Sequence, residues 1–157
     1  DHLLCDEDGQ FPAVLNGIEN AVLATEGARE EFVGWYRNPS RATQDSIGAA
    51  YMIDGEYSIV RPDFVFFVKG SDGDIVADLV DPHGAFLADA IPKLKGLAAY
   101  AETHPGVYQR IEAVDEIEGK LRVLDLTNPE VRNAIAEFEG DTATALYQSE
   151  HGRDYPI

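Results

Sequence analysis

Two apolar runs, Phe64-Val65-Phe66-Phe67-Val68 and Ile75-Val76-Ala77-Asp78-Leu79-Val80, stand on either side of Ser71-Asp72-Gly73. Runs of this length bounded by turn residues predict strands. Upstream, Ala49 to Ile53 and Tyr57 to Val60 flank Asp54-Gly55, a two-residue hairpin signal. The second arm is expected to run on through Pro62 into Asp63 to Val68, which would make an antiparallel meander. Pro62 cannot donate to a sheet ladder, so that path implies an edge or a bulge. Phe32 to Tyr36 reads as a short strand ending at Asn38-Pro39. Val107 to Val114 and Lys120 to Leu126 predict two more strands, turned at Glu118-Gly119.

Three- and four-residue spacings mark the helices. Val14, Ile18, Ala21 and Val22 predict one opened by Pro12 and closed near Gly27. Leu87, Ile91, Leu94, Leu97, Ala98 and Ala101 place another within Phe86 to Thr103, starting or kinking at Pro92. Asn128-Pro129-Glu130 combines an N-cap, a first-turn proline and an acid at the positive helix end, and Val131, Ile135 and Phe138 follow as an apolar stripe. Gly140 closes that helix, and Asp141 can cap a last one carrying Ala145 and Leu146. The first ten residues and His151 to Ile157 read as loose tails. Helix, strands, helix, strands, helix is the pattern of an α/β domain, a mixed sheet with helices on both faces.

Composition narrows the classes. The 157 residues suit a single domain, and 45% hydrophobic content excludes general disorder. No run reaches the length of a membrane span, and no leader pattern opens the chain. Because residue 1 is Asp and not Met, a domain excised from a larger polypeptide is expected. Cys5, the single cysteine, excludes a disulfide framework and a zinc-thiolate site, and makes a cytoplasmic setting the expectation. With 12 basic and 29 acidic residues the net charge is −17. That field repels nucleic acid at long range and argues against a stand-alone nucleic-acid binder. It leaves room for a nuclease domain whose carboxylates are covered by a divalent metal while a neighbouring domain holds the strand. No glycine-rich phosphate loop, dinucleotide fingerprint or Gly-x-Ser-x-Gly elbow is present.

The chemistry-bearing positions lie around the two apolar runs. Asp63 stands at the mouth of the first and Asp81 at the end of the second. Asp81 and His83 share a face if strand geometry persists past Pro82, whereas Asp78 faces away by parity. Two carboxylates and an imidazole suit a hard divalent cation that keeps several waters. Arg37 either points toward an anion or pairs with a surface acid. Glu19 borders the apolar stripe of the first helix. His2, His104 and His151 read as solvated.

Taken together, a helix with an acid, a hairpin, Pro62-Asp63 on a strand, and Asp81-Pro82-His83 ending the next strand before a helix resemble the PD-(D/E)XK nuclease superfamily. The resemblance covers Ile18 to Tyr100 and is nearest to the nuclease-like domain attached to helicases of type III restriction and phage-defence systems. It implies a restriction-endonuclease-like fold and hydrolysis of phosphodiester bonds, of DNA, with magnesium or manganese on Asp63 and Asp81 and Glu19 as a further metal-associated acid. A fused or associated helicase would supply the nucleic acid. His83 replaces the lysine of the motif; Lys93 and Lys95 lie on the following helix, where some members of the superfamily carry the basic group, and at least one of the two only solvates the helix. Lys95 is the one taken as a further candidate, with Tyr100 bordering the cleft. On that reading Asp63, Asp81, His83 and Lys95 are catalytic, and Arg37 and Tyr100 contact substrate. The alternative is a catalytically degenerate nuclease-fold module for docking or regulation, which the charge and the missing lysine favour.

Overall fold

A computed structural model describes residues 2–4, 7–8, 11, 14–53 and 55–156. Cys5, Pro12 and Asp54 fall outside them. The elements follow in the order α1 (Gly17–Gly27), β1 (Phe32–Arg37), β2 (Ala49–Ile53), β3 (Glu56–Val60), β4 (Phe64–Lys69), β5 (Ile75–Pro82), α2 (Ala90–Thr103), β6 (Arg110–Ile117), β7 (Lys120–Asp125), α3 (Pro129–Glu137), α4 (Thr144–Gln148) and β8 (Gly152–Asp154). The chain is a mixed α/β protein. Its six-stranded sheet has the order β1-β4-β5-β6-β7-β8, and β2-β3 forms a separate hairpin. The β5–β6 pair is parallel, joined by α2 as the crossover, and the other pairs are antiparallel. Among the described residues no helix is long and apolar enough to cross a membrane.

Alternation along the strands feeds two cores. Phe64, Phe66, Val80, Val114 and Val123 pack with Trp35 against Val22 of α1. Val65, Leu79, Ile111, Ala113 and Leu124 face the other way, onto Leu94, Leu97 and Ala98 of α2, Val131 and Ile135 of α3, and Leu146 of α4. Helices on both faces of a mixed sheet are therefore observed. Asp78 is buried on the α1 side, away from Asp81, as parity requires.

The expected meander is corrected in one place. β4 pairs with β1, not with β3. The cause is Asn38, buried at the end of β1. Its side-chain amide donates to the carbonyls of Ile47 and Pro62 at 2.9 and 2.7 Å, and its Oδ1 accepts from Ile47 N–H at 2.8 Å. This clip gathers both ends of the excursion between Asn38 and Pro62, so the hairpin leaves the sheet and lies on α2. There, Tyr51 sits directly on the helix backbone at Gly96, where a Cβ would come within 2.5 Å of the tyrosine Cβ.

Smaller differences have local causes. The first helix begins at Gly17, because Asn16 and Glu19 form a reciprocal capping box. Val14, expected on its stripe, precedes it and is exposed. In α2, Pro92 falls in the first turn, where its missing N–H has no intrahelical partner to lose. Asn128 and Pro129 start α3 as expected. The Glu118-Gly119 turn has both residues at positive φ, which suits a tight hairpin. The final segment is not loose: β8 pairs with β7, and Tyr155 is buried. His2 is also buried, its Nε2 accepting from Arg37 N–H at 2.9 Å and its ring edge-on to Trp35.

Candidate active site at the end of the sheet

The ends of β1 and β5 and the start of β4 meet at one edge of the sheet, beside the first turns of α2. The hydrogen bond from Asp63 N–H to Asp81 Oδ1, at 3.1 Å, ties the start of β4 to the end of β5. A cavity of about 210 Å³ opens over the pair and is lined by Asp63, Asp81, His83, Lys93, Arg61 and Ile59, among others. Strand order thus brings together the two carboxylates that the sequence singles out.

Their environment is strained electrostatically. Burial, and then the charge of Asp63, push Asp81 up to about 7. Burial raises Asp63 to about 6 against the opposing pull of Arg37, with Glu19 adding to the rise. Two carboxylates this close lose their protons as a pair, and a cation between them would relieve both desolvation and repulsion.

Arg37 is committed to the protein. Its guanidinium pairs with Asp63 Oδ1 at 2.6 Å and Glu19 Oε1 at 2.7 Å, and donates to the carbonyls of Asn38 and Asp63. Of the two readings of Arg37, the geometry shows pairing with an acid. Glu19 is buried, with Oε1 on Arg37 and Oε2 accepting from Asn16 N–H. It would have to release one of these partners to reach a metal.

Lys93 faces the cavity, and its charge acts on both Asp63 and Asp81. It pairs with Asp89 one turn earlier at 2.6 Å. His83 Nε2 lies 3.5 Å from the same carboxylate, buried and without a proper hydrogen bond. Burial and the nearby Lys93 lower the imidazole, so it is neutral near pH 7. Lys95 does not line the cavity. Tyr100 lies about 10 Å further along the α2 axis, stacked on His104 and 3.5 Å from the Tyr108 hydroxyl. It does not border the cleft.

Two residues pass unnoticed in the sequence. Asp115 at the end of β6 is buried and accepts from Ala85 N–H at 2.7 Å, fixing the loop after His83. Arg61 lines the cavity. An arginine preceding Pro-Asp carries no pattern of its own, and Asp115 is set apart from other strand acids only by the fold.

Among the described residues no group of three or more His, Cys, Asp or Glu side chains converges as a metal cage. Magnesium does not require one, since it binds through one or two carboxylates and keeps its waters. Asp63 and Asp81 each retain one oxygen without a hydrogen bond among the described residues. Their chemistry therefore fits a hydrated magnesium ion and does not fit a closed zinc site.

On the opposite face, Arg110 binds Glu26, Asp78 and Glu112, while Arg29 adds a second cation and the Tyr155 hydroxyl bonds Glu26. This network ties α1 to β5, β6 and the segment after β8.

No solved structure matches the chain. It is 53% identical over 154 residues to Protein YagJ of Escherichia coli (strain K12), a match covering 98% of this chain and 62% of that protein. The chain thus spans under two thirds of the relative's length. The profile of the YagJ family matches residues 1–156, and the chain belongs to that family.

Proposed function

We propose that this chain is a metal-dependent nuclease domain of restriction-endonuclease-like type, hydrolysing phosphodiester bonds of DNA. The observation that carries the reading is the convergence of Asp63, Asp81 and Lys93 on one cavity from two adjacent strands and the following helix. Pro62-Asp63 and Asp81 hold the two acidic halves of the PD-(D/E)XK pattern, and the order α1, three antiparallel strands of the main sheet (β1, β4 and β5, with the β2–β3 hairpin inserted), α2, parallel strand supports the same resemblance.

Asp63 and Asp81 would hold magnesium or manganese through their unbonded oxygens. When bound, the ion polarises a phosphate oxygen and lowers the pKa of a coordinated water. Lys93, positioned by Asp89, takes the part expected of Lys95: its ammonium stabilises charge growing on the phosphate. His83 lines the cavity beside the pair, in the place of the motif's lysine. Arg37 holds Asp63 at the required angle and does not touch substrate. A helicase-associated partner presenting the DNA is part of the proposal, and it would offset the long-range repulsion of a chain with net charge −17.

The test is cleavage of single- and double-stranded DNA and RNA in magnesium or manganese, beside an Asp63→Ala, Asp81→Ala double variant. Product from the parent alone is expected. Equal product from both, or none from the parent with either metal, would overturn the catalytic reading in favour of a degenerate nuclease-fold module. The occupation of Asp63 and Glu19 by Arg37 is the observation on that second side.

A further inference from the structure

Arg61 lines the same cavity as Asp63 and Asp81, and its Nε is buried with no hydrogen-bond partner. The other half-buried arginines are better supplied, while Arg41 and Arg153 are exposed. Arg29, Arg37, Arg110 and Arg122 pair with carboxylates, and Arg132 donates to backbone carbonyls. Arg61 forms no ion pair among the described residues. The two terminal guanidinium nitrogens are not enclosed as Nε is, and they make no hydrogen bond among the described residues, so they are open to an acceptor entering the cavity. Guanidinium geometry favours a phosphate.

Arg61 also stands at the root of the β2–β3 hairpin. Tyr51 and Val60 turn inward, toward α2 and the core. The outward face carries Met52 opposite Tyr57 and Ala50 opposite Ile59. Tyr57, Met52 and Ile59 are 79%, 59% and 49% exposed. Ile59 belongs both to this face and to the cavity lining, so the apolar strip leads from Met52 and Tyr57 into the site.

We infer that the hairpin is a guide for an unpaired nucleic-acid strand, with Arg61 holding a phosphate at the cavity and Tyr57 and its neighbours stacking bases. The inference rests on the nuclease reading and narrows its substrate to single-stranded nucleic acid. An exposed aromatic ring beside aliphatic groups offers a platform for the face of any base. In a duplex those faces are already stacked, and only phosphates, sugars and base edges are presented. A cation with no ion pair among the described residues lines the cavity where the strip meets the acids, so phosphate and bases are engaged in the order a single strand would present them.

The experiment is fluorescence anisotropy with a labelled oligothymidylate in low salt and magnesium, on an Asp81→Asn background that blocks cleavage. The same sequence annealed to its complement serves as the comparison. Arg61→Ala and Tyr57→Ala are each expected to weaken single-strand binding by about 5- to 100-fold. Tyr57→Phe should retain binding, Arg61→Lys should retain part of it, and the duplex should bind less tightly than the single strand. Unchanged affinity in both alanine variants, equal or tighter duplex binding, or no binding by the Asp81→Asn chain would overturn the inference. Thermal melts of the four variants guard against misfolding, and if Arg61→Ala melts early the exposed Tyr57 decides the matter. Binding that depends on both residues, in a protein whose unsubstituted form cleaves nothing, would leave the strand guide standing and remove the nuclease reading. Cleavage with binding indifferent to both residues would do the reverse.

Discussion

The backbone N–H of Asp63 donates to Oδ1 of Asp81 at 3.1 Å, so one candidate metal ligand positions the other. Asp81→Asn keeps an acceptor at that place, while Asp81→Ala leaves the N–H unsatisfied. Asp81→Asn is expected to fold with undiminished stability and, if the nuclease reading holds, to abolish metal-dependent cleavage. Asp81→Ala is expected to lose roughly 1–3 kcal/mol of stability, and on the same reading any cleavage. Urea denaturation of the pair decides this, and equal losses in the two variants would count against the bond.

Arg37 bridges Glu19 and Asp63 from a largely buried position. Removing it strands two carboxylates, so Arg37→Met should cost about 3 kcal/mol. Adding Glu19→Gln should recover part of the loss, because one stranded charge is gone. A double variant no more stable than the single one would show that Arg37 acts through packing alone.

Lys93 and Lys95 lie about 200° apart around α2, and only Lys93 faces the cavity. If the nuclease reading holds, Lys93→Ala should lower kcat by about 10²-fold or more, with Lys95→Ala close to the parent. Steady-state kinetics on a single-stranded substrate separates them. Equal effects would place the positive group elsewhere.

Glu112, buried beside Arg110, Glu26 and Asp78, is pushed up to about 7 by burial, with the two acids adding to the rise and Arg110 opposing it. The folded chain therefore retains a proton that the unfolded chain releases near 4.5. The sign follows: this contribution is fully present below about pH 4.5 and is lost as pH rises through about 7, on the order of 3 kcal/mol at most. Asp63 and Asp81 act in the same direction. Denaturation between about pH 5 and 8 should show falling stability, with a shallower slope in Glu112→Gln. Parallel profiles would exclude Glu112 as a source.

Gly96→Ala would drive a methyl group against Tyr51, at a site where the β-hairpin rests on helix backbone. A loss of about 1–3 kcal/mol is expected. Tyr51→Ala added to it should restore part of that stability by opening space. Chemical denaturation checks both, and an unaffected Gly96→Ala would mean that the hairpin is free to shift.

What the amino-acid sequence determined by itself is whatever depends on neighbours in the chain. Asn128-Pro129 starts α3, Glu118-Gly119 turns β6 into β7, and the alternation through β5 separates Asp78 from Asp81. These features rest on backbone dihedrals and strand parity, which a few adjacent residues set. The convergence of Asp63 and Asp81 was legible for the same reason, since one short turn joins their strands. The tertiary structure alone decided the pairing of β1 with β4, because the Asn38 clip acts across 24 residues through the Pro62 carbonyl. It also decided that Lys93 and not Lys95 faces the cavity, since the rotation of α2 is set by how Leu94, Leu97 and Ala98 seat on the sheet. Likewise Arg37 found the acids Glu19 and Asp63 and Arg61 found none among the described residues, and nothing in the local sequence of two arginines near strand ends distinguishes them. Charge partners are chosen in three dimensions, where desolvation makes each pairing or its absence matter.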